Sequence, residues 1–289
     1  MFGLGLGMGS AFGQEGGTHE VTSAVGTFEI PDNPQRVICI DSRIDLEPAV
    51  ALGLEVIGYG YGEPMPWVPA AKGMELIGEV PSLERVLNLN PDLIICTYIG
   101  EGDSDMWPSK ALTQVAPVIA IPFERPWKEI LLELGRLTLR ESAADSLLAE
   151  YDAVIADIKA RHADKIANRK VLVVQPHDEN VVYFQTSRDM IQIQVLNDLG
   201  APLPPAMKFP EHHIAAESFD TYFGDADGIL YVLMEEGNEL PTESNPLWSR
   251  LPAIAQGKVL KPVGNTTFGG VYTAIHTAKL FDELYSMLD

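Results

Sequence analysis

Arginine and aromatic side chains collect in five short stretches, each directly behind an apolar run. Arg43 lies in "DSRID"; Tyr59, Tyr61 and Trp67 in "GYGYGEPMPW"; Tyr98 and Trp107 in "TYIGEGDSDMW". Phe184 and Arg188 lie in "YFQTSRDM", and Phe268 and Tyr272 in "NTTFGGVY". Ring planes cover apolar surface and guanidinium groups bond anionic oxygens, so this set suits capture of a bulky ligand. Each tyrosine or tryptophan would serve equally well as core or interface packing. Arg43 and Arg188 point more firmly to a site, because arginine rarely goes inside unpaired.

Other chemistries find little support. No G-x-S-x-G nucleophile motif occurs. Glu211, His212 and His213 are adjacent and point differently, and His19, His162, His177 and His276 keep no ligand spacing, so solvated loop histidines are expected and no metal site. "GYGYG" (58–62) resembles a phosphate loop, but the prolines of "EPMPWVP" forbid the helix whose N-terminus would hold a phosphate. Twenty basic against 41 acidic side chains leave a formal charge of −21, which argues against a nucleic-acid or anionic-membrane partner. At that charge, paired acids are background. The two cysteines, Cys39 and Cys96, sit in apolar runs and read as buried thiols on neighbouring strands, with a disulfide possible if those strands are adjacent.

The elements that must carry these loops alternate. "RVICI" is a continuous apolar run of the kind buried on both faces. "DLEPAVALG" has helical period and stops at a glycine, and "EVIGYG" is a second strand. "SLERVLNL" offers Ser82 as N-cap of a one-face helix, and "DLIIC" follows beyond Pro91. "KALTQVA" and "VIAI" add a helix and a strand. "AADSLLAEYDAVIADIKARHADKI" then keeps helical spacing with no Gly or Pro between Glu141 and Ile166. Roughly 25 residues at 1.5 Å rise make a rod of about 37 Å. The alternation restarts with "KVLVVQ", "RDMIQIQVLNDLG", "GILYVL", "WSRLPAIAQG" and "KVLKPV", and closes on "VYTAIHTAKLFDELYSML".

This pattern predicts an α/β protein: two Rossmann-like parallel-sheet lobes joined by one long α-helix, with a ligand cleft between the lobes. The expected organisation is a signal remnant or flexible tail (1–25), an N-terminal lobe (26–140), a linking helix (141–167) and a C-terminal lobe (168–289). The glycine-rich start, "MFGLGLGMGSAFGQEGG", lacks a basic n-region yet places Ala11 and Gly13 like a cleavage site, so both readings of the tail stay open. No run approaches the roughly 20 apolar residues of a membrane span.

The fragments "PQRVICIDSRIDLEPAVALG", "IGEVPSLERVLNLNPDLII", "VLNDLGAP", "AAESFDTYFGDADGILYV" and "NPLWSRLPAIAQGKV", in this order around the long helix, resemble the helix-linked (class III) extracytoplasmic solute-binding proteins. Those proteins deliver ferric siderophores, cobalamin or haem to ABC importers. The resemblance covers Arg36 to the C-terminus. It implies a non-enzymatic receptor, monomeric and located in the periplasm or at the cell surface, that presents an iron chelate to a membrane permease and needs no cofactor.

In that family an acid at the head of the corresponding helix of each lobe docks onto permease arginines, and Glu84 and Glu217 fall on those positions. A first-turn acid is also favoured by the helix dipole alone. An exposed ion pair contributes only about 0.2–1 kcal/mol, so such contacts set register more than affinity. Arg188 matches a loop arginine that contacts the siderophore in several members. Catecholate-binding members carry further arginines where this chain reads "TYIGEGDSD" and "LMEEGNE". The implied cargo is therefore a hydroxamate or mixed chelate of lower charge. The alternatives are a cobalamin or haem receptor of the same fold, an enzyme acting on an iron chelate, and a signalling sensor domain.

Overall fold

Val37, Ile38 and Cys39 have no solvent exposure, which a three-residue apolar run achieves at the centre of a sheet covered on both faces. The computed structural model describes residues 16–69, 73–100, 103–177, 180–183, 190–203, 213–233 and 241–289. An antiparallel hairpin of β1 (Thr18–Ser23) and β2 (Gly26–Pro31) precedes the first lobe. That lobe contains β3 (Val37–Cys39), α1 (Leu46–Ala51), β4 (Val56–Gly60), β5 (Glu75–Gly78), α2 (Leu83–Asn88), β6 (Leu93–Tyr98), α3 (Ser109–Leu112), β7 (Val118–Pro122) and α4 (Trp127–Leu137). Its sheet is wholly parallel, in the order β5-β4-β3-β6-β7.

The long helix α5 (Glu141–Asn168) follows. The second lobe contains β8 (Val171–His177), β9 (Asn180–Tyr183), α6 (Ile191–Leu199), β10 (His213–Ile214), a 3-10 turn (Ala216–Ser218) leading into α7 (Phe219–Phe223), and β11 (Gly228–Tyr231). It continues with α8 (Pro241–Ser244), α9 (Pro246–Ser249), α10 (Pro252–Ala255), β12 (Val259–Leu260) and α11 (Val271–Met287). Its strand order, β10-β9-β8-β11-β12, reproduces that of the first lobe position by position.

The structure adds four particulars to the sequence reading. Thr18–Ser23, read as part of the tail, is strand β1: Val21 and Ile30 are buried in the hairpin, and Ser23 Oγ donates to Val118 O of β7 at 2.8 Å. The second sheet is mixed, because β9 runs antiparallel to β8 while β8, β11 and β12 are parallel. Ser82 occupies the N-cap of α2, but its side chain makes no cap hydrogen bond. Finally, α5 leaves helical geometry at His162 (φ −123°, ψ 20°), where the ring bonds Asp282 of α11 at 2.8 Å.

Alternate residues of each central strand enter different cores. Val37 and Cys39 join one continuous apolar cluster with α1, α4, α5, α6 and α11, which unites the inner faces of both lobes. Ile38, Ile40, Ile94 and Cys96 pack with Val86 of α2 and Leu112 of α3 on the outer face of the first sheet. Cys39 pairs in register with Ile95, so Cys96 points to the opposite face of the sheet. Both thiols are accordingly free and buried although their strands are neighbours. Among the described residues no helix is long and apolar enough to cross a membrane.

Candidate functional site

In each sheet the strand order reverses direction beside the first strand, between β3 and β6 and between β8 and β11. A doubly wound sheet binds ligands outside the carboxyl ends of its strands at such a point. The β3 end carries Asp41, whose carboxylate is fully buried. Its Oδ1 accepts from Arg43 Nε at 3.0 Å and its Oδ2 from Arg43 Nη2 at 2.7 Å, a two-pronged pair. Burial opposes the Arg43 charge, but the bonds to Asp41 outweigh it and raise the guanidinium pKa above its ordinary value.

The guanidinium carbon of Arg43 lies 3.5 Å from the Tyr61 ring centroid and 5.3 Å from that of Phe268, which comes from the other lobe. Phe268 meets Phe123, behind β7, at 5.3 Å, and Phe123 meets Trp107 at 5.5 Å. Trp107 Nε1 donates back to Asp41 Oδ2 at 3.1 Å. A closed circuit thus runs Asp41–Arg43–Phe268–Phe123–Trp107–Asp41 and crosses the lobe boundary twice, on either side of Phe268. Beside it opens a cavity of about 460 Å³ lined by Tyr98, Ile99, Gly100, Pro122, Phe123 and Glu124. That volume lies within the range of small-molecule sites.

A second buried carboxyl fixes the frame. Asp45 accepts from the backbone N–H of Asp41 (2.8 Å) and from the N–H (3.1 Å) and hydroxyl (2.9 Å) of Thr97, tying the β3 corner to the end of β6. Burial and then the neighbouring Asp41 charge push its pKa well above the usual carboxyl range.

The sequence-predicted residues fall into four groups. Arg43, Trp107 and Phe268 are brought together in the circuit, the Tyr61 ring stacks on the Arg43 guanidinium, and Tyr98 lines the adjoining cavity. Tyr59 is buried and reaches out only through its hydroxyl, which donates to Glu63 at 2.7 Å; burial and then that bond push its pKa up to about 12. Trp67 is a strut between the lobes: it stacks on His276 (3.9 Å, 7°) and donates Nε1 to Thr273 Oγ1 at 2.9 Å. Gly264 (φ +112°) leaves room for it, since a Cβ there would stand 2.8 Å from the indole. Arg188 lies outside the described residues.

Glu84 and Glu217 make no hydrogen bond, ion pair or ring contact with the circuit among the described residues. Both are exposed, one in the first turn of α2 and the other in the 3-10 turn before α7. Each sits between the sheet's edge strand and the strand beyond the centre, the same topological place in each lobe. Neither has an ion-pair partner among the described residues. Val80 (60% exposed) and Leu87 (57%) flank Glu84.

Sequence reasoning missed Asp41, Asp45, Phe123 and Glu47. The three acids share one signal, carboxylates recurring in the otherwise apolar "CIDSRIDLEPAV". Glu47, on α1, is buried against the other lobe. It accepts from Thr273 N at 2.8 Å and Thr273 Oγ1 at 2.6 Å, with further bonds from the backbone of Gly270 and Tyr272, and so caps α11. The approach requires glycine at 269 (φ +150°), where a Cβ would stand 2.5 Å from Thr273 Oγ1.

Burial outweighs these bonds and raises the Glu47 pKa to about 7. The folded protein therefore holds this proton more tightly than the unfolded chain. The corresponding stability is present below the unfolded pKa and is lost as pH rises through about 7. Between pH 5 and 8 the melting temperature of the wild type should fall relative to Glu47→Gln by roughly 6 °C, equivalent to about 3 kcal/mol. Parallel curves for the two proteins would contradict the assignment.

Comparison with known proteins places this architecture. The periplasmic binding protein family model matches residues 75–261. The chain is 25% identical over 256 residues to the iron(3+)-hydroxamate-binding protein FhuD of Bacillus subtilis, covering 83% of this chain and 78% of that one. It is 26% identical over 280 residues to the ferric enterobactin-binding periplasmic protein FepB of Escherichia coli, covering 86% and 85%. In structure it superposes, at a TM-score of 0.76 and 21% identity, on an FhuD-fold periplasmic binding protein component of a ferrichrome ABC transporter from Bacillus subtilis, covering 92% and 99%.

Proposed function

The chain belongs to the periplasmic binding protein family, and from that premise we propose that it is the extracytoplasmic receptor of an ABC importer that captures a ferric siderophore between its lobes. The observation that carries this reading is the arginine–aromatic circuit at the strand tips, which joins Arg43 and Phe123 of one lobe to Phe268 of the other. Aromatic faces suit the apolar backbone of a chelate, and among the described residues the Arg43 guanidinium gives only two of its N–H donors, both to Asp41. The work is binding and presentation without covalent chemistry, carried out by a monomer. The continuous apolar core across the lobes favours a small closing motion on loading.

Arg188 completes the ligand contacts from the second lobe, and Tyr98 and the Tyr59 hydroxyl contribute from the first. Glu84 and Glu217 present the loaded protein to two permease subunits. The cargo is a hydroxamate or mixed chelate, since the loops "TYIGEGDSD" and "LMEEGNE" offer no arginine to a tris-catecholate.

Incubation with a ferric trihydroxamate, cobalamin or haem, followed by gel filtration, tests the reading. The protein peak should carry the absorbance of the iron chelate alone, and the chelate released on denaturation should be intact. Co-elution of only cobalamin or haem would overturn the cargo, and a degraded chelate would indicate an enzyme.

A further inference from the structure

We infer that Asp41 sets the charge of the cargo by cancelling the guanidinium of Arg43 at the point where the lobes meet; the inference rests on the binding reading above. Asp41 is fully buried, and its two oxygens are enclosed by donors. Oδ1 accepts from Arg43 N (2.8 Å), Arg43 Nε (3.0 Å) and Ile44 N (3.3 Å). Oδ2 accepts from Arg43 Nη2 (2.7 Å) and Trp107 Nε1 (3.1 Å). This one carboxylate therefore aims both the arginine and the indole of the circuit.

The pairing leaves Arg43 able to donate hydrogen bonds while contributing no net charge to the cleft. The surroundings do not restore one. Glu63 and Glu124 are exposed at the Tyr59 hydroxyl and the cavity rim. Arg125, the next cation behind β7, is held by Glu129 (3.5 Å) and Glu133 (3.4 Å). The described wall of the first lobe is thus neutral to acidic. A neutral or cationic ferric chelate can give its oxygens to the guanidinium N–H groups that Asp41 does not take, whereas a trianionic one meets no uncompensated positive charge on the described wall of the first lobe. Asp41 is a positioning residue, acting on the cargo through Arg43 and Trp107.

The test is a charge series titrated into the full chain: a neutral ferric trihydroxamate, a trihydroxamate bearing a free ammonium, and a trianionic ferric tris-catecholate. The wild type should bind the first two at least about tenfold tighter than the third. Asp41→Asn keeps the side-chain shape but uncovers the arginine charge, and should narrow that ratio by about tenfold or more, the gain shrinking as salt is raised. Asp41→Asn/Arg43→Gln replaces the ion pair by a neutral one; it should weaken all three chelates by similar factors and keep the wild-type ratio. That comparison decides the matter even if Asp41→Asn alone does not fold. A ratio unchanged in Asp41→Asn, or a wild type that prefers the trianion, would overturn the role of Asp41. Failure of all three chelates to bind the wild type would instead overturn the binding reading itself.

Discussion

Replacing Glu84 and Glu217 together by alanine lowers cellular uptake of the ferric chelate by at least about tenfold, while the purified protein keeps its affinity within about twofold. The two acids are exposed and make no ion pair among the described residues, so their loss removes no contact of the arginine–aromatic circuit. They occupy the same topological place in two lobes of matching strand order. A helix-dipole role would explain one acid at a helix start, but it gives no reason for the repeat and predicts only a slight loss of stability. Radiolabelled iron uptake in cells carrying each variant is the measurement. Each single alanine variant should fall between the wild type and the double. Unchanged uptake in the double variant would return both acids to ordinary surface charge.

The second large effect concerns stability. Arg43→Met removes the partner of a carboxylate with no solvent exposure, while the arginine itself is only 12% exposed. Breaking a buried pair from one side costs roughly 3–5 kcal/mol, because the remaining charge is left desolvated. Arg43→Met should therefore lower the urea midpoint strongly, with the slope of the transition unchanged. Adding Asp41→Asn in the same chain should restore more than half of the loss. Additive losses would show that the two residues do not depend on each other.

These two residues also show where sequence reading succeeds and stops. "RVICI" and "DLIIC" carry their burial in their own composition, so the centre of the first sheet could be read directly. Arg43 and Phe268 could be picked because they lie just behind strands, where a parallel sheet opens its cleft. The role of Asp41 was hidden, since it depends on a bond to Trp107, 66 residues away. Glu47 was hidden more deeply. In sequence it is a first-turn acid like any other, and its partner Thr273 lies 226 residues on.

The direction of β9 was equally out of reach, because a short apolar run such as "NVVY" has the same pattern whichever way its neighbour points. The hairpin of β1 and β2 was lost for another reason: its strands are polar on one face, and long-range contacts such as those of Val21, Ile30, Ser23 and His19 with the lobe give it order.

The most direct test of the account is to locate the iron. Crystals grown with a ferric trihydroxamate and measured at the iron absorption edge should show one strong anomalous peak in the cleft, beside Arg43 and Phe123 and facing Phe268. A peak on the outer surface of either lobe, or a cleft without iron in crystals whose chelate is visible in solution, would contradict it.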